Sequence, residues 1–276
     1  MKKIAIIILL SSILLFSCKQ TTVKNIEKSI STTEYLSADT SKGALYINID
    51  VEIPICFHDK DVLTKIQTNV FAALFGDAYK MLSPDSVLYI YTDELIAEYH
   101  ENNDDFLAEA DSLLTDNAEN LFLNNSFNLE GFSLLSYVNK HIYTYGIHTE
   151  AYTGGAHGNY STIYLNYNLT NGQRITENDL FVENYGDSIS EILKQCLVEK
   201  SLTDPEMTDI ENWEESDYWE NEIKPNGNFY FNEDGINYYF NPYEIAPFSM
   251  GETEILVPYS KIITFLKSDY LFLLSK

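Results

Sequence analysis

The chain has 276 residues and is 45% hydrophobic, enough for one large domain or two modest ones with a buried core, which excludes a disordered tail. Its 42 acidic residues against 17 basic ones give a formal charge of −25. That excludes general DNA or RNA binding, which needs a basic surface to neutralise phosphate, so no nucleic-acid partner is expected; an acidic surface suits a basic partner or solubility.

At the start of the chain, Lys2 and Lys3 precede an apolar run from Ile4 to Phe16, the length of a signal h-region and short of the ~20 residues of a spanning helix. The run ends in Leu15-Phe16-Ser17-Cys18, which resembles a bacterial lipobox. On that reading residues 1–17 are a lipoprotein signal peptide and Cys18 carries the lipid, so the membrane is a partner through the N-terminal lipid. The polar, Ser/Thr/Lys-rich stretch that follows reads as a flexible tether, 18–43. The expected location is the cell envelope outside the cytoplasm, the periplasmic face favoured over the cell surface because no acidic run follows Cys18.

Leu45, Ile47, Ile49, Val51, Ile53 and Ile55 alternate with polar residues and predict a half-buried strand. Val62, Leu63, Ile66, Val70, Phe71, Leu74, Phe75 and Ala78 recur at spacings of three and four, an amphipathic helix with Asp59 or Asp61 as N-cap, ended by Ser83-Pro84. A second helix is expected from about Asp93 to Thr115, its outer face acidic through Glu94, Glu98, Glu101, Asp104, Asp105, Glu109 and Asp111. Strands follow near 127–138, 141–152 and 160–169, with turns at Asn139-Lys140 and Asn171-Gly172. A helix is expected around 187–200. The acidic stretch 203–226, containing Trp213 and Trp219, reads as a surface loop or short helix. Asp234-Gly235 turns a hairpin, 254–257 is a last strand, and Pro258 opens a closing helix. Blocks of helices and hairpins predict an α+β fold: antiparallel sheets built from hairpins with packed helices, in two intimately linked subdomains, 44–158 and 159–276.

No metal-ligand spacing, nucleophile elbow, phosphate loop or dinucleotide fingerprint is present, and no metal, cofactor or catalytic residue is expected. Cys56 and Cys196 either pair or leave Cys196 a buried free thiol. The most informative stretch is Tyr152-Thr153-Gly154-Gly155-Ala156-His157-Gly158, whose glycines permit close backbone approach to an anion, a glycan or a partner, or else make a tight strand connection whose His157 bonds the backbone.

That stretch, with Tyr167-Asn168-Leu169, Asn171-Gly172 and Asp179-Leu180-Phe181, forms one signature. Asp234-Gly235-Ile236, then Tyr239-Phe240-Asn241-Pro242-Tyr243-Glu244-Ile245-Ala246-Pro247, Gly251 and Val257-Pro258-Tyr259, forms a second. Together they resemble the RsiV/PdaC-type extracytoplasmic domain family, the paired domains of unknown function 4163 and 3298, over roughly residues 44–265. The resemblance implies binding: one member type is the extracellular lysozyme receptor of an anti-sigma factor, another accompanies a separate deacetylase domain. It carries over no catalytic residue.

The expected function is therefore a lipid-anchored binding module for a basic cell-wall hydrolase such as lysozyme, or for a cell-wall glycan such as peptidoglycan. The alternatives are an envelope glycan hydrolase using carboxylates and a structural envelope lipoprotein. The expected contact residues are Tyr152, Gly154, Gly155, His157, Tyr243, Trp213 and Trp219, with Cys18 as the lipidation site.

Overall fold

The computed structural model describes residues 21–113, 123–134, 140–205 and 207–274. The expected signal segment 1–17, Cys18, Asn139 and the end of the second helix at Thr115 fall outside those residues. The chain divides into two compact units: the residues up to Phe132 with Ile147–Tyr160, and Ser133–Gly146 with the residues from Ser161 on. Segment 133–146 falls in the second unit. The fold is α+β, with a larger sheet in strand order β1-β2-β3-β4-β5-β6 and a three-stranded sheet β7-β8-β9.

The first unit opens with β1 (Lys24–Tyr35), which pairs antiparallel with β2 (Ala44–Cys56) in one register from Asn25 opposite Pro54 to Tyr35 opposite Ala44, with a register shift between Asn25 and Lys24 that sets Lys24 opposite Cys56. Lys24–Tyr35, twelve residues of the stretch expected as tether, is therefore a strand. Helices α1 (Lys60–Phe75) and α2 (Pro84–Leu113) then carry the chain across to β3 (Asn125–Leu134), which lies parallel to β2. This parallel pair departs from the expected all-hairpin pairing; the helical crossover makes it possible, because two-residue turns join only antiparallel neighbours. Asp59 is the N-cap of α1, its side chain accepting from the N–H groups of Asp61 and Val62.

Helix α2 starts nine residues earlier than periodicity alone predicts. Pro84 occupies its first position and the Ser83 hydroxyl accepts from the Ser86 N–H at 3.2 Å, so the dipeptide read as a helix end also begins the next helix. Ile47, Ile49, Val51 and Ile53 of β2 are buried beside Ile66 and Val70 of α1, each side chain contributing about 2 kcal/mol. Glu94, Glu98 and Glu101 of α2 are exposed.

Strands β4 (Ile142–Tyr152) and β5 (Asn159–Asn168) lead into the second unit, followed by β6 (Arg174–Ile175), α3 (Glu177–Leu180) and α4 (Gly186–Ser201). Then come β7 (Phe229–Phe231), β8 (Gly235–Phe240), β9 (Thr253–Pro258) and α5 (Tyr259–Ile262). The β7–β8 turn is set by Asn232, whose side chain accepts from the N–H groups of Asp234 and Gly235. Any Cβ at Gly235 would collide with the Val257 carbonyl, so only glycine fits there.

The core of this unit packs Leu180, Phe181, Ile189, Leu193 and Leu197 against Phe229, Phe231, Tyr238, Phe240, Ile255 and Val257. Cys196 is a free buried thiol, its pKa raised chiefly by burial, so it is not bonded to Cys56.

Strand β6 covers only Asn166 and Tyr167 of β5. Asparagine side chains serve the rest of that edge. Asn228 donates to the Thr162 carbonyl and accepts from the Tyr164 N–H, both at 2.8 Å. Asn241 accepts from the Thr162 N–H at 2.6 Å, and Asn166 donates to the Phe229 carbonyl at 2.7 Å.

Candidate ligand-binding site

The acidic stretch after α4 is an ordered loop with two short 3-10 helices, Trp213–Glu215 and Glu220–Glu222. Buried side chains pin it. The Ser201 hydroxyl accepts from the Ile210 N–H at 3.0 Å and donates to the Val198 carbonyl, while Ile210 and Tyr218 enter the core. Asn212 caps the first 3-10 helix by accepting from the Glu214 N–H. With its apolar residues drawn inward, the loop leaves its carboxylates outside.

The result is an open cleft of about 780 Å³ between this loop and the start of β9. Asp204, Asp209, Glu211, Glu215, Asp217 and Glu252 line it, with Met207, Tyr218 and Met250 on its walls. Its cation is Lys200, whose ammonium donates to the Glu254 carbonyl at 3.1 Å. Among the described residues, no three His, Cys, Asp or Glu side chains are placed to hold a metal ion. The carboxylates are spread along a wall rather than aimed at one point. That pattern matches a surface bearing several Lys or Arg side chains better than a single ion.

A smaller acidic recess, about 270 Å³, lies on the sheet of the first unit among Glu27, Asp50, Glu52 and Glu130. Glu27 sits directly opposite Glu52, and Asp50 opposite Glu130, like-charge pairs that cost stability. The alternation in β2 placed Asp50 and Glu52 on the solvent face; their acidic neighbours emerge only from strand register.

The residues expected to form a contact surface divide between the two units. In the first, the β4–β5 connection holds Gly154 and Gly155 at φ 95° and 99°, conformations that favour glycine. Tyr152 donates its hydroxyl to the Gly155 carbonyl at 3.0 Å, and His157 Nδ1 lies 2.8 Å from the Gly158 carbonyl. These bonds are those of a tight strand connection.

In the second unit, Trp213 packs partly buried against the core. Trp219 is 42% exposed, and its N–H donates to the Ile245 carbonyl at 2.8 Å, joining it to the segment that carries Tyr243. Tyr243 stands at φ 69°, 55% exposed, its ring centroid 5.5 Å from that of Phe248. A bulky side chain in the left-handed region is strained; here Asn241 and Asn226, each donating to the Glu244 carboxylate, brace the turn. Cys18 lies outside the described residues.

Residues 178–260, which contain the whole cleft, match the model of a family described as "Protein of unknown function (DUF3298)". The second unit carries a DUF3298 domain. A crystal structure of a DUF3298 family member from Bacteroides fragilis is similar at 29% identity and TM-score 0.83, over 94% of this chain and 100% of that one. A DUF3298 family protein from Pseudomonas aeruginosa shares the fold at 14% identity and TM-score 0.56, over 91% of this chain and 98% of that one. No curated protein matches. The cleft-forming loop, 204–218, lies wholly inside the DUF3298 domain, as do Trp213, Trp219 and Tyr243.

Proposed function

We propose that this chain is a lipid-anchored extracytoplasmic binding module of the RsiV/PdaC type that captures a basic protein, with a cationic cell-wall hydrolase such as lysozyme as the concrete ligand. The observation that carries the reading is the open cleft with six carboxylates around it, on a chain of formal charge −25. Spread negative charge speeds encounter with a cationic surface and favours it over acidic partners. The lipobox-like sequence ending in Cys18 supports attachment to lipid outside the cytoplasm.

Calorimetric titration with lysozyme at low and moderate salt tests the reading. Binding is expected, and the combined change Asp209→Asn, Glu211→Gln, Glu215→Gln, Asp217→Asn is expected to weaken it roughly tenfold or more, since each lost charge contact is worth a fraction of a kcal/mol to more than one. No binding at either salt removes lysozyme as the ligand.

One observation favours a second reading, a cell-wall glycan: the exposed rings of Trp219 and Tyr243 belong to segments joined by a backbone hydrogen bond. Sugar rings stack on such faces. Co-sedimentation with purified cell wall that is unchanged in Trp219→Ala and Tyr243→Asn variants would count against it.

A further inference from the structure

The larger sheet ends at β1, twelve residues long, which among the described residues has a strand neighbour on one side only. Long unprotected edges template pairing with another chain, and natural proteins shorten, cover or charge them. We propose that β1 is a self-pairing edge, through which two copies of the chain join antiparallel with Ser29 on the two-fold axis and Lys24 of each copy opposite Glu34 of the other.

Burial across the β1–β2 pair gives the first support. On the helix-covered face, β2 presents Ile53, Val51, Ile49 and Ile47, all buried; opposite them on β1 lie Ile26, Lys28, Ile30 and Thr32, only half-buried. The layer is complete on one strand and open on the next. A second β1 laid against the first would cover the open sides of Ile26 and Ile30 with Thr32 and Lys28 of the other copy.

Charge selects the register. Keeping the helix-covered face continuous means that residues of the same alternation set must oppose each other. Centring the pair on Lys28 would set Lys28 against itself, a like-charge contact. Centring on Ile30 brings no opposite charges together. Centring on Ser31 needs Lys28 to meet Glu34, but Lys28 already holds Asp85 of α2 at 2.7 Å. Centring on Ser29 leaves that pair intact and forms two Lys24–Glu34 contacts, each Glu34 sharing its carboxylate between Lys24 of the other copy and His100 of its own, 3.2 Å away.

Location matters as well. At −25 per chain, two copies repel each other over most of their surface. β1 itself is balanced, Lys24 and Lys28 against Glu27 and Glu34, so the strand adds no net charge to the seam, although the acidic recess of Glu27, Asp50, Glu52 and Glu130 lies beside it.

Sedimentation equilibrium of the full chain at about 0.15 M salt, where charges beyond roughly 8 Å are screened, tests the proposal. A dimer is expected. Lys24→Glu alone, or Glu34→Lys alone, turns two attractive contacts into repulsive ones and is expected to weaken it roughly tenfold or more. Mixing the two variants restores opposite charges at both contacts and should recover the dimer mass, which misfolded variants could not do. In a separate arm, Ser29→Cys should give a covalent dimer on mild oxidation, in excess of the parent chain and of Glu27→Cys. A monomer at all concentrations overturns the proposal. So does association that survives both charge reversals, as pairing through the apolar Ile4–Phe16 run would.

Discussion

The side chain of Asn228 gives β5 the pairing that a neighbouring strand would otherwise supply. Its amide meets the Thr162 carbonyl and the Tyr164 N–H as a peptide group would. Asn228→Ala removes both of these buried bonds. At roughly 1–3 kcal/mol for each, a loss of about 2–6 kcal/mol is expected in urea unfolding. Nothing in the sequence signals this role, because Asn226, Asn228 and Asn241 read locally as turn residues; their partners lie more than sixty positions away for Asn228 and 79 away for Asn241.

Glu177 makes a second residue-level case. Burial raises its pKa above the usual 4.5, against the lowering effect of the Gly227 N–H that its carboxylate accepts at 3.1 Å. Burial, then the Glu177 charge, also holds the Tyr238 hydroxyl well above the usual tyrosine range. A carboxyl with a raised folded-state pKa favours folding while protonated, and that contribution is lost as pH rises from about 4.5 through the folded value. Glu177→Gln should therefore gain stability relative to the parent as pH climbs through this window, measured by urea midpoints at pH 4 and pH 7. A difference that shrinks with pH would contradict the assignment.

Among the elements, those with strong periodicity were readable: β2 by its alternation, α1 by its apolar stripe and the Asp59 cap, the β7–β8 hairpin by Asp234-Gly235. β1 was not, because an edge strand half-buried on one face needs few large apolar residues. Ile26 and Ile30 are spaced by Lys28 and followed by Ser31, Thr32 and Thr33, a composition that also fits a tether. Deleting residues 19–36 separates the two descriptions. Loss of a tether would leave the thermal midpoint unchanged; loss of β1 uncovers Ile47, Ile49, Val51 and Ile53 and should lower it by roughly 10 °C or more, at about 2–4 °C per kcal/mol for a chain of this size.

The cleft was legible only as composition. The run of acids from Asp204 to Asp217 is plain in the sequence, but its separation into an inward apolar side and an outward acidic one depends on Ile210, Tyr218 and Ser201. Trp213 shows the limit of that view: in an acidic stretch it reads as exposed, yet the 3-10 turn directs it toward the core.

At the scale of the whole molecule, the charge of −25 acts on folding and on capture with opposite sign. The ion pairs among the described residues sit at the surface, as with Lys194–Glu191, Lys224–Glu222 and Lys261–Glu199, and exposed pairs add little. Self-repulsion among the excess carboxylates therefore dominates the salt response of the folded state. Raising NaCl from about 0.01 M to 0.5 M shortens the screening length from roughly 30 Å to a few ångströms. The thermal midpoint should rise across that range, while affinity for a basic protein ligand should fall. Both are measured on one preparation, by calorimetric scan and by titration. Affinity that stays constant while the midpoint rises would mean that the cleft carboxylates take no part in capture, and the proposed ligand class would have to be abandoned.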